Sequence, residues 1–156
     1  MKALQIRNDI FGLLNAIFVV LVAVIFTGMG RLWGPELPSL VVIIFLTVAL
    51  LTLAAALVVF TIKAKEAGMQ KTFFILTGVS AMCIPICAVL HNLVYDLCIK
   101  LGWAYRGEGG DEAVFFVLAT LVCPILFVIG SSGSVALLIS ARLKKKESWR
   151  LDLAGI

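Results

Sequence analysis

Charge is what this chain has least of. Of its 156 residues only 14% are Asp, Glu, Lys or Arg, and there is a single histidine, His91. Residues 10–29, 40–62, 72–95 and 113–141 contain no acidic or basic side chain apart from that histidine. Cysteine is scarce as well: Cys83, Cys87, Cys98 and Cys123 are the full set, and none falls in residues 30–39 or 100–112. Disulfide-stapled outer loops of the claudin or tetraspanin kind are thereby excluded. The segments between the apolar stretches are too short for a globular domain on either side of a membrane. No phosphate-binding glycine loop, nucleophile motif, dinucleotide fingerprint or pair of carboxylates at catalytic spacing is present. Nor does one half of the chain repeat the other, which argues against an inverted-repeat transporter. The chain has no Asn-x-Ser/Thr acceptor and no prenylation or retention ending, absences that fit a prokaryotic plasma (inner) membrane.

What fills the chain instead is apolar surface. Hydrophobic residues make up 62% and the mean hydropathy is +1.13, more than one soluble core of this size can hide. Each uncharged stretch reaches the roughly 20 residues an α-helix needs to cross about 30 Å of hydrocarbon. Strands of a membrane barrel alternate apolar with polar residues, whereas residues 41–46 and 50–60 are apolar on nearly every side. The expected fold is therefore an all-α integral membrane protein, a four-transmembrane-helix antiparallel bundle in one domain. Helices are expected near 8–30, 39–63, 70–99 and 112–143, followed by a short basic tail, 144–156. The first stretch is longer than the roughly 7–15 residues of a signal core and has no small-x-small cleavage site, so it reads as a permanent span.

Basic residues set the orientation. Lys2 and Arg7 precede the first span, Lys63, Lys65 and Lys71 lie between the second and third, and Arg142, Lys144, Lys145, Lys146 and Arg150 follow the fourth. Only Arg31, Lys100 and Arg106 fall on the other side. The positive-inside rule places both the N-terminus and the C-terminus in the cytoplasm. The net charge of +4 does not imply nucleic acid. Lysines directly after a span instead hold its end at an anionic cytoplasmic leaflet, at about 1 kcal/mol each. Trp149 in the tail suits the interface. On the outer side, Trp33, Gly34, Pro35 and Pro38 predict a tight turn with an interfacial aromatic. The second outer segment holds Trp103, Tyr105 and Arg106 and then a Gly-rich acidic run, where Asp111 and Glu112 are placed to cap the fourth helix.

Residues with chemistry concentrate in the third span. At about 100° per residue, Cys83, Cys87 and His91 form one stripe along a helix face, with Asn92 and Asp96 beside it and Tyr95 a turn beyond His91. Pro85 removes a backbone donor there, and Cys123-Pro124 in the fourth span lies at a comparable depth, so a Cys/Cys/His cluster between the two helices is geometrically possible. Thiols with an imidazole suit a soft metal ion, zinc or monovalent copper, although a closed zinc site needs four ligands. A dithiol redox role meets the low reactivity of thiols buried in lipid, and a haem would need His91 paired with a methionine or with a second copy. The bland alternative treats cysteine as a small hydrophobe and His91 as satisfied by a neighbour. An outward-opening proton or solute site would draw on Asn15, His91, Asn92, Tyr95 and Asp96, but it lacks a midplane carboxylate.

The fourth span also carries a small-residue patch. Gly130 and Ser134, and likewise Ser132, Ala136 and Ser140, repeat every four residues, the spacing that lets helices approach closely in lipid. Asn15 in the first span is expected to hydrogen-bond these serines. Taken together, the residues predict a small polytopic subunit, non-enzymatic and without an expected cofactor, that forms a homo-oligomer or joins a larger membrane-protein partner. The rival is a small transporter or a metal-binding or redox protein built on Cys83, Cys87, His91 and Cys123.

Overall fold

The computed structural model describes residues 2–31, 37–64, 68–101 and 112–153. Every element there is helical: α1 (Lys2–Arg31), α2 (Leu37–Lys63), α3 (Met69–Lys100), and α4 (Glu112–Val117), which runs through a π-helical turn (Leu118–Val122) into α5 (Cys123–Leu153). Four helices are long and apolar enough to span a membrane, over Leu4–Ile25, Val41–Lys63, Met69–Lys100 and Val114–Lys144. Helix is the natural outcome for such segments, because without water each backbone N–H and C=O must be satisfied within its own segment. The turn and capping roles assigned to Trp33, Pro35 and Asp111 lie outside the described residues, as do Trp103, Tyr105 and Arg106 and the side chains of Pro38, Glu112 and Trp149.

Two boundaries differ from expectation. The first helix begins at Lys2, and α5 continues to Leu153 through the segment expected to be a tail. Both extensions have the same cause: residues 2–9 and 143–153 contain no glycine or proline, and their Lys, Leu, Glu and Arg side chains are good helix formers. The helix around Pro85 is unbroken, and Pro85 itself is buried.

Packing is centred on α3, which contacts α2 on one side and the fourth helix on the other, while α1 lies against α2. Close approach depends on small side chains. A Cβ built at Gly78 would sit 3.1 Å from the carbonyl oxygen of Ala54 and 2.6 Å from a Val58 methyl. Aromatic rings fill the wider gaps: Phe11 meets Phe74 edge-on at 5.0 Å, and Phe18 meets Phe127 at 4.1 Å. Each such pair contributes about 0.5–1.5 kcal/mol beyond its buried area. Large apolar residues point outward instead, Phe45 being 72% exposed, as lipid-facing positions should.

Polar side chains are mostly handled within their own helix. Thr47, Thr52, Thr61, Thr77, Ser80, Thr120 and Ser140 each donate to the carbonyl four residues earlier, at 2.7–2.9 Å. That habit removes the several-kcal/mol penalty of an unsatisfied hydroxyl in hydrocarbon. Ser131 and Ser134 depart from it, since their buried hydroxyls have no hydrogen-bond partner.

Candidate functional site: the face between α3 and the fourth helix

The inward face of the fourth helix is a single stripe: Ala119, Cys123, Phe127, then Gly130, Ser131 and Ser134 are buried. Its two halves meet α3 differently. At Gly130 the backbones nearly touch, because an added Cβ would lie 2.9 Å from the Thr77 amide nitrogen and 3.2 Å from the Phe73 carbonyl oxygen. One turn on, a Cβ at Gly133 would strike the Phe73 ring at 2.6 Å. At Gly130 no side chain larger than hydrogen fits without moving main chain, so that glycine is needed for helix approach.

At the other half the neighbouring side chains include thiols: Cys123 is 6% exposed and lies close to Cys83 and Cys87, which are half-buried. A proline stands on one side of these cysteines and a π turn on the other. Pro85 lies between the two α3 cysteines. The π turn ends at Cys123, whose backbone N–H donates to the Leu118 carbonyl five residues back. Such a turn inserts an extra residue into the helix, a device common at functional positions. The four cysteines form no disulfide among the described residues.

The His91 ring packs on Phe116, 5.5 Å between centroids. The outer polar group does not converge. Asn92 is exposed and donates to the Ala88 carbonyl at 2.8 Å, while Tyr95 and Asp96 are exposed. Among the described residues, no group of three or more His, Cys, Asp or Glu side chains is arranged to hold a metal ion. Searches of protein families, characterised proteins and solved structures found no match.

One expected contact is absent. The Asn15 amide donates to the Phe11 carbonyl at 2.8 Å, and neither Ser131 nor Ser134 has a partner, so Asn15 does not bond these serines. An i to i−4 bond costs no interhelical geometry, and it wins. The small-residue set also divides: Gly130 and Ser134 face α3, whereas Ser132, Ala136 and Ser140 are exposed on the opposite side of α5.

Arg7 was read from the sequence only as an orientation charge, but it is 1% exposed and lies inside the bundle. Its guanidinium carbon stands 4.3 Å from the centre of the Phe74 ring, whose edge contact with Phe11 closes the stack. A desolvated cation over an aromatic face gains about 2 kcal/mol. The signal in the sequence was the spacing of Arg7 and Phe11, four apart and hence on one helix face.

Proposed function

We propose that this chain is an antiparallel four-helix membrane subunit with both termini cytoplasmic, and that it acts without catalysis by associating through the outer face of α5. The observation that carries the reading is the division of the small residues. Gly130 and Ser134 serve the contact with α3, while Ser132, Ala136 and Ser140 form a second four-residue repeat that faces outward. In lipid, where apolar side chains gain nothing from leaving the solvent, a small-residue stripe is the feature that lets a second helix come close. Ser140 already donates to the Ala136 carbonyl, so the stripe presents a shallow, largely satisfied surface to a partner helix.

Contact order supports the antiparallel arrangement: Phe116, Gly130 and Gly133 meet His91, then Thr77, then Phe73, descending one helix as they ascend the other. Exposed Arg142, Lys144 and Lys146 at the end of the fourth span suit an anionic cytoplasmic leaflet. The test is native mass spectrometry of the chain released from lipid vesicles, with and without the pair Ser132→Leu and Ala136→Leu. The wild type should appear as an oligomer and the double variant as a folded monomer. An unchanged oligomer in the double variant would exclude this face as the contact, and a monomeric wild type would remove self-association.

A further inference from the structure

Support for α3 changes part-way along its length. Toward the chain termini its backbone is held on two sides, by α2 where Gly78 meets the Ala54 carbonyl and by the fourth helix where Gly130 meets the Thr77 amide. Beyond Pro85 that support stops. The buried residues of α3 end at Pro85, and no described side chain in residues 86–101 or 114–117 is buried. These two segments still hold each other, because the His91 ring packs on Phe116 at 5.5 Å.

Both helices depart from regular backbone where the support ends. Pro85 has no N–H to donate to the carbonyl of Ala81, four residues earlier. In the fourth helix, Cys123 donates to the Leu118 carbonyl five residues back. The two departures lie level. Phe116 faces His91 and Gly130 faces Thr77, with equal numbers of residues between the two contacts on each helix, which sets Pro85 opposite Val122 at the end of the π turn. Breaking a backbone hydrogen bond in hydrocarbon is costly, so a membrane helix bends where a regular bond is already missing.

We propose that residues 86–101 and 112–117 form an arm that swings as one unit about a double hinge, Pro85 in α3 and the Leu118–Val122 turn in the fourth helix, opening and closing the end of the bundle remote from both termini. The half below the hinge stays closed, since moving it would part helices that touch through backbone. Hinges of this kind absorb the movement at a few residues while the segments on either side remain rigid. Leu97 stands past Pro85 by about 18 Å of helix, at a rise of about 1.5 Å per residue. A kink of about 20° therefore moves it by about 6 Å. The device works in a single chain and does not depend on self-association.

The experiment uses the full chain in lipid vesicles, diluted with unlabelled chain, and reads distance distributions between pairs of spin labels carried on unnatural amino acids. Labels go at exposed positions: Leu97 with Val42 across the hinged end, Val79 with Ile139 in the closed half, and Leu97 with Val117 within the arm. The first pair should show two peaks or a spread wider than the other two pairs by about 6 Å, the displacement that a kink of about 20° produces. Pro85→Ala combined with removal of Thr120, an exposed residue of the π turn, restores regular bonding in both helices and should narrow the first pair to the width of the closed half. Circular dichroism checks folding, and if the shortened chain loses its helices Pro85→Ala alone decides by the same narrowing. A first pair as narrow as the closed half, equal breadth in all three pairs, a broad pair within the arm, or unchanged breadth in the folded variant would each overturn the proposal.

Discussion

The two halves of the contact between α3 and the fourth helix are built on opposite principles. Around Gly130 the helices touch through backbone, with no room for a Cβ beside the Thr77 amide. Around Cys123 the neighbouring side chains are small and polarisable, beside a proline and a π turn. One half is a rigid lock, because a backbone collision can be relieved only by moving a helix. The other tolerates changes of shape, since thiols are small, soft and replaceable by similar volumes. Membrane helices gain stability from close packing and not from exclusion of water, so the lock should carry most of the stability and the sulfur half most of the chemical latitude.

The largest effect should come from Gly130→Leu, alone or with Ser134→Leu. It is expected to cost about 3 kcal/mol or more and to prevent normal assembly, as overpacking against backbone does. Unfolding by denaturing detergent, followed by circular dichroism, measures this, and a double variant with wild-type resistance would show that Gly130 is not a lock. Phe74→Ala should follow at about 3 kcal/mol, because it removes both the edge contact with Phe11 and the ring under Arg7. The same assay on Arg7→Met would apportion that loss between ring packing and cation.

Gly133→Ala sharpens the comparison, since its new methyl meets only the Phe73 ring, which can turn aside. A loss of about 1 kcal/mol is expected, clearly smaller than for Gly130→Ala, whose methyl meets the Thr77 backbone. Equal losses would mean that the two glycines are not distinguished by what they touch. Cys123→Ser should cost no more than about 1 kcal/mol, as a volume-conserving change on the tolerant half. The smallest effect has the opposite sign. Ser134→Ala removes a fully buried hydroxyl that has no hydrogen-bond partner and should stabilise the bundle by up to about 1 kcal/mol, visible as a raised unfolding midpoint.

Much of the fold was readable from residue order. Uncharged stretches gave four helical spans because the bilayer allows few other structures, and one of the two four-residue repeats, Gly130 and Ser134, falls on the buried face of the fourth helix. Less of the site was readable. Periodicity placed Cys83, Cys87 and His91 on one stripe, but a stripe does not say how far along it a neighbour reaches. Cys123 lies close to the first two, while Phe116 meets His91. Asn15 looked like an interhelical donor because polar groups in lipid need partners, yet its own helix supplied one at Phe11. Arg7 looked like a boundary charge because arginine is rarely deep, yet the Phe74 face accommodates it.

Composition and hydropathy by themselves determined that this chain is helical and long enough, four times over, to cross a membrane. They could do so because satisfying the backbone is a local matter, settled within each segment. Only the tertiary structure decided which small residues face α3 and which face outward, which thiols lie close together, and where Arg7 lies. Those outcomes depend on the relative rotation and axial register of neighbouring helices, which are set by a few contacts between residues far apart in the chain.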